Sequence, residues 1–286
     1  MQPKSFDPRQ IMPGREFELQ YKRDLELSNV DLHHHDFYEI YYLVSGEVTY
    51  TINSRICRVL PGDMLFIAPG VLHQVYIRSE RSAYERYVLW IDPKMIRALS
   101  SENSNLLSAL APDGTNPINQ LRLQPNDRHR ILQLLEQIFS ESNSDQYGAD
   151  LQCRSLLTQL LVHINRLAEQ NGDCYEAYSS ASKQISQVIE YINRNYTDDL
   201  TLDHLAEQFY ISKYHLSHEF QRQVGTTVHR YIQKKRLQVA RELLLQGEKP
   251  TAIYTLCGFG DYAVFFRTFK AEYGCSPRRF LSQINS

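Results

Sequence analysis

Between Ser212 and Leu281 the chain repeats itself with a period of 49 residues. With Ser212–Ile232 set over Asp261–Leu281, Leu216 falls on Phe265, Phe220 on Phe269, Val224 on Tyr273, Gly225 on Gly274 and Tyr231 on Phe280. Each copy reads as a helix with apolar residues four apart, a glycine stop, and a second helix with an aromatic at a fixed distance. Glycine suits that stop, because a left-handed helix end carries no Cβ penalty there. In the second copy Ser276-Pro277 supplies an N-cap and a proline at the first helical position. A short amphipathic segment precedes each copy, Leu202–Phe209 and Thr251–Cys257, with a brief connection through Tyr210-Ile211 and Gly258-Phe259-Gly260. Two short helices across a tight turn, the second exposing polar residues, predict a helix-turn-helix. Two such units in register, joined by Val228–Gln246 without a Gly or Pro, are hard to reconcile with an ordinary helical core.

The charge distribution agrees. Residues 1–181 hold 17 Lys/Arg against 23 Asp/Glu, whereas residues 182–286 hold 14 against 10, a balance of +4 behind one of −6. A basic module behind an acidic one points to a polyanion as the C-terminal partner. An excess of only +4 argues against a nucleoid-coating protein. The 286 residues favour two domains and a connector. No apolar run reaches the roughly 18 residues of a membrane helix, and residues 1–10 have no signal-peptide core. The five cysteines (Cys57, Cys153, Cys174, Cys257, Cys275) are scattered, which argues for reduced thiols and against a cysteine-held zinc site. The expectation is a soluble cytoplasmic protein with no membrane partner.

From Glu16 to about Trp90 the pattern is that of strands. Tyr38–Val44, Glu47–Ile52, Ile56–Leu60, Met64–Ala68 and Gln74–Arg78 are short β-prone runs separated by Ser45-Gly46, Asn53-Ser54, Pro61-Gly62 and Pro69-Gly70. Such spacing predicts a small barrel or sandwich. Beyond Pro93, Ser100–Asn119 reads as loop, and Arg128–Ser140 and Asp150–Gln170 as helices. Leu151, Leu157, Leu160, Leu161, Ile164 and Leu167 form one apolar stripe, which could pack on its own barrel or on a second chain. Asn171–Ser182 is the expected linker. The predicted class is therefore α+β with two domains: a β-barrel over 1–95, a helical dimerisation or linker region over 96–181, and an all-α domain with two helix-turn-helix units over 182–286.

Arg236-Leu237, Ala240, Leu243-Leu244, Ile253, Cys257-Gly258-Phe259, Phe265, Arg267, Phe269-Lys270, Gly274 and Ser276-Pro277 together resemble the signature of the AraC/XylS regulators. Leu205-Ala206, Ser212, Leu216, Phe220 and Gly225 agree in the first unit, so the resemblance covers about residues 183–284. It implies that each second helix enters a major groove of promoter DNA. Helix phase leaves Lys213, Tyr214, Ser217, His218 and Gln221 facing the groove in the first unit, with Arg222 near the backbone. In the second unit it leaves Asp261, Tyr262, Ala263, Phe266, Arg267 and Lys270. Arg267 is the foremost candidate, since arginine suits guanine edges or phosphates bidentately. Ala263-Val264 and Phe266 depart from the family pattern, which shifts the second unit towards shape, phosphate or thymine-methyl contacts.

In the N-terminal part, His33, His35, Glu39 and Gly46 spell H-x-H-x3-E-x6-G, and Gly62, Pro69, Gly70 and His73 spell G-x6-P-G-x2-H. These resemble the two cupin motifs over about residues 16–92, with the proline displaced by one and Ile77 in place of the usual Asn. Alternate strand residues share a face, so His33 and His35 point the same way. In metal-binding cupins His33, His35, Glu39 and His73 would be ligands, and imidazoles with a carboxylate suit a divalent transition metal. In regulators of this type the cupin is a sensor, so the resemblance implies effector binding by His33, His35, Glu39, Tyr41 and His73, without cofactor or resident metal. A metal site and a structural histidine cluster remain as alternatives. Tyr38, Tyr41, Tyr42, Tyr50 and Tyr76 suit a sugar-like pocket, and equally plain strand packing. The expected function is a homodimeric, effector-responsive transcription regulator, activation being favoured over repression, with RNA polymerase as a partner of an activator. The competing expectation is a metal-dependent cupin enzyme with a DNA-binding tail.

Overall fold

In β2 (Tyr38–Ser45) the side chains of Tyr41 and Leu43 enter one apolar cluster while Ile40 and Tyr42 enter another. A strand buried on both faces is apolar on both, which is why 38–44 shows no polar alternation and has Glu39 as its one charged residue. This fixes the layering of the N-terminal half in the computed structural model, which describes residues 12, 16–24, 30–53, 55–77, 83–110, 119–171 and 180–284.

One sheet has the order β1 (Phe17–Asp24), β7 (Tyr84–Ile91), β2, β5 (Asp63–Ile67), β8 (Gln120–Arg122), and its paired strands are antiparallel. A second has the order β4 (Arg55–Val59), β3 (Val48–Ile52), β6 (His73–Ile77). Val48, Tyr50, Val59, Leu65, Ile67, Val75, Val88 and Trp90 fill the space between them. The barrel expected from the sequence is thus a cupin-like pair of stacked sheets, with no strand ladder joining them among the described residues. Helices α1 (Pro93–Leu99), α2 (Pro125–Ser142) and α3 (Ala149–Asn171) cover the outer face of the larger sheet.

The leucine stripe of α3 resolves the choice left open by the sequence. Leu157, Leu160, Leu161 and Ile164 are fully buried in one apolar cluster with Ile131, Leu135 and Ile138 of α2 and Ile40, Tyr42, Phe66 and Leu89 of the sheet, all of the same chain. The dimerisation seam expected over 96–181 therefore does not lie on these four residues; Leu151, read as part of the same stripe, stands outside the cluster and is 66% exposed. Within the stretch read as loop, residues 111–118 lie outside the described ones, and Gln120–Arg122 just beyond it adds the edge strand β8. Most of the expected linker (172–179) and Arg78 also lie outside them.

The C-terminal domain contains α4 (Ser180–Arg194), α5 (Leu202–Gln208), α6 (Lys213–Val224), α7 (Val228–Leu245), α8 (Pro250–Leu256), α9 (Tyr262–Tyr273) and α10 (Pro277–Ile284). The repeat is reproduced down to its caps. Ser212 accepts from the His215 amide and Asp261 from the Val264 amide, while Gly225 (φ 68°) and Gly274 (φ 74°) end α6 and α9 in the left-handed region. Leu205, Leu216, Phe220 and Tyr231 build the first core; Leu237, Ile253, Phe265 and Phe269 build the second. The first core is not closed by its own helices. Leu32, Ile56 and Leu72 from the N-terminal half complete it.

Candidate DNA interface and effector site

The phase of α6 turns Leu216, Phe220 and Val224 inward and leaves Lys213, Tyr214, Ser217, His218, Gln221 and Arg222 exposed, as the sequence predicts. Tyr214, Ser217, His218, Gln221 and Arg222 line one open surface depression. Lys213 is paired with Asp203 of α5, and Arg222 with Glu219 at 2.6 Å. That pairing holds the Glu219 carboxyl down at about 2. In α9, Asp261, Tyr262, Ala263, Arg267 and Lys270 are exposed and Phe266 is half-buried. The Asp261 carboxylate accepts from the Val264 amide at 2.8 Å, so it is engaged in capping α9. Val264, which phase reasoning passed over, is 40% exposed on this helix and extends its apolar surface. Between the units, the buried Lys234 of α7 pairs with Glu272 of α9 at 2.6 Å. Arg236 of α7 donates to the Tyr196 and Asp198 carbonyls, both at 2.7 Å. The connector is thereby tied to both units.

In the N-terminal half the structure gathers His33, His35, Glu39 and His73, all buried. His33 and His73 form an isolated antiparallel bridge with rings 4.1 Å apart, and the His35 ring lies 4.8 Å from His73. Glu39 follows because β2 pairs with β7: Glu39 lies opposite Trp90, whose indole N–H donates to its carboxylate at 2.9 Å. His35 stacks on Phe37 at 4.1 Å, and Phe37 packs on Trp90 at 4.7 Å. Burial and the neighbouring His73 hold His33 well below the usual imidazole range, and burial with His35 brings His73 down to about 4. Burial opposes ionisation of Glu39, but its contact with His35 and the surrounding imidazoles outweigh it, so the carboxyl stays below its usual range. Tyr41 faces the same interior as Glu39 but is drawn elsewhere. Its hydroxyl donates to Tyr84 at 3.0 Å, and its ring packs on Tyr50.

Three participants escaped the sequence reading. Trp90 is 51 residues from Glu39, and only strand pairing brings them together. His34 and Asp36 point away from the cluster, to Tyr273 and Arg241 of the DNA-reading half.

Two family descriptions match the chain: "AraC-like ligand binding domain" over residues 19–161 and "Helix-turn-helix domain" over 205–283. Among curated relatives, the HTH-type transcriptional activator RhaS of Escherichia coli K12 is 26% identical over 247 residues, which is 86% of this chain and 85% of RhaS. RhaS of the O139:H28 strain gives the same figures. Among solved structures, fatty-acid-bound ToxT from Vibrio cholerae aligns over 95% of this chain and 97% of its own, with 14% identity and a TM-score of 0.41. The C-terminal domain of AraT from Geobacillus stearothermophilus covers 37% of this chain and 88% of its own, with 29% identity and a TM-score of 0.35. RhaS is by its name a transcriptional activator and not an enzyme, and no described helix is long and apolar enough to cross a membrane. With an effector-binding half and a paired helix-turn-helix half both matched, the chain belongs to the AraC family of DNA-binding, effector-responsive transcription regulators.

Proposed function

We propose that α6 and α9 enter neighbouring major grooves on one face of promoter DNA, and that a small molecule at the histidine cluster changes the outcome at the promoter. The observation that carries this reading is the pair of recognition helices, each capped and buried on one side and exposed on the other, with Arg267 and Lys270 on the exposed side of α9, tied to one unbroken connector. In this reading 182–286 is the reader and 1–95 supplies the effector residues His33, His35, Glu39 and His73, with Tyr41 on the same interior face but engaged by Tyr84. Residues 96–181 carry self-association. Activation is the favoured sign, as in RhaS, and brings RNA polymerase in as a partner. A hydroxylated, sugar-like effector fits a site rich in buried hydrogen-bonding groups.

Promoter footprinting with the full chain tests this directly: two protected major grooves about one helical turn apart are expected. Diffuse protection without discrete sites would overturn it. Replacing Arg267 with Ala should weaken binding by about 1–3 kcal/mol if it grips a guanine. A loss that is equal across all operator variants would reassign it to a phosphate.

Self-association, excluded from the buried residues of α3, falls to the exposed apolar residues of α2 and α3, where Phe139 and Leu151 are 37% and 66% exposed. Phe139→Glu with Leu151→Glu should give monomers by sedimentation while near-ultraviolet dichroism is unchanged. An unchanged dimer would exclude this face.

A further inference from the structure

The 49-residue repeat allows the two recognition helices to be compared position by position. The exposed residues Tyr214, Ser217, His218 and Gln221 of α6 correspond to Ala263, Phe266, Arg267 and Lys270 of α9. All four side chains of the first set can hydrogen-bond, and none is a lysine or arginine. In the second set two are apolar and two are long cations. The first set is also held in place. Tyr214 and His218 stack with rings 6.1 Å apart and 16° from parallel, and His218 Nδ1 lies 3.5 Å from the Glu219 carboxylate.

Charge divides in the same way. Both cations of α6 are engaged by carboxylates. Lys213 pairs with Asp203, and the Arg222 guanidinium donates twice to Glu219, from Nε to Oε1 at 3.1 Å and from a terminal nitrogen to Oε2 at 2.6 Å. With Glu207 counted, α5 and α6 together carry one more acid than base. On α8 and α9 the one acid, Glu272, is claimed by Lys234 of α7. Among the described residues no carboxylate pairs with Arg267 or Lys270. Base edges are told apart by donors and acceptors, whereas phosphates offer the same charge in every sequence. Pressed against base edges, Ala263, Val264 and Phe266 would strip water without returning hydrogen bonds, which is unfavourable. A shallower seat for α9 avoids that cost and leaves Arg267 and Lys270 within reach of the phosphates at the groove's rim.

We propose that the first unit selects the DNA sequence and the second supplies grip that is independent of sequence. In this division α6 reads base edges through Tyr214, Ser217, His218 and Gln221, and α9 holds phosphates through Arg267 and Lys270. This rests on the reading of α6 and α9 as the DNA-facing helices and apportions the work between them. Gln221 has the most defined target, since a glutamine amide pairs with both N6 and N7 of adenine. Glu219 is a positioning residue. It turns the Arg222 guanidinium back onto the helix, so that α6 is not drawn to DNA of every sequence.

Selection of random duplexes by the full chain, followed by affinity measurements against salt, tests the division. One tightly constrained half-site is expected, with a weakly constrained one about one helical turn away. Gln221→Ala should erase preference at one A·T pair, roughly 5- to 150-fold in relative affinity, with the salt dependence unchanged. Arg267→Gln and Lys270→Gln should each flatten the slope of log affinity against log salt by about 0.9 and leave the selected sequence as it was. Glu219→Gln should tighten binding to unselected DNA and steepen that slope. Two equally constrained half-sites overturn the division but leave both helices facing DNA. So does an Arg267→Gln chain that loses one base preference while keeping the wild-type slope, or a Gln221→Ala chain weakened equally on all sequences. Failure of the wild-type chain to retain any duplex overturns the underlying reading as well.

Discussion

Leu157→Glu, paired with Ile164→Glu, is expected to unfold the effector half outright. Both side chains are fully buried in the apolar cluster that α2, α3 and the five-stranded sheet share. A carboxylate there has no partner and cannot reach water without displacing the helix, so each substitution should cost on the order of 4–5 kcal/mol. That approaches or exceeds the total stability of a typical domain. Loss of near-ultraviolet dichroism and of the cooperative thermal transition would record it. A folded monomer would instead assign these residues to a subunit seam.

Gly258→Val should have the second large effect, on DNA binding. Gly258 ends the first helix of the second unit at φ +79°, a conformation that β-branched residues avoid and that costs about 1–3 kcal/mol when forced. Space is lacking as well. A Cβ would lie 2.7 Å from the Tyr196 carbonyl oxygen and 2.8 Å from the Thr197 Cα, main-chain atoms that cannot swing away. Because Arg236 fixes that same carbonyl, the strain must tilt α8 and α9 against α7. Operator affinity of the full chain should fall at least about tenfold, equivalent to 1.4 kcal/mol, with the dichroism of the effector half intact. Wild-type affinity would show that the turn has slack the geometry denies.

The reader was legible because its signals are local. Gly225 and Gly274, Ser212 and Asp261 act within one turn of chain, and a repeat tests each of them twice. The strands of the effector half were legible from apolar runs and turn residues for the same reason. How they close was not: whether sheets join into a barrel depends on pairings over tens of residues. β8 was missed because three residues carry no periodicity and its identity comes only from β5 alongside. The α3 stripe announced burial without naming what buries it, since a helix face is equally apolar towards a sheet or a second chain. In the cluster, the two-residue spacing of His33 and His35 could be read directly, and His73 came with the second motif. Tyr41 shared the correct face but not the cluster, because Tyr84 claims its hydroxyl. Asp36 and Arg241 are 205 residues apart, and no local pattern joins them.

The closure of the reader's first core by Leu32, Ile56 and Leu72 bears on how such proteins can be recombined. Effector halves and readers in this architecture are not interchangeable cartridges. A reader grafted onto a foreign sensor would leave the rim around Leu216 and Phe220 open to water unless the graft supplied three aliphatic side chains at matching heights. Chimeras should therefore succeed when the junction is chosen by this shared layer and fail when it is chosen by the linker alone. In the native chain the effector half is synthesised first, so a surface that fits the first helix-turn-helix unit is already in place when α4–α6 emerge.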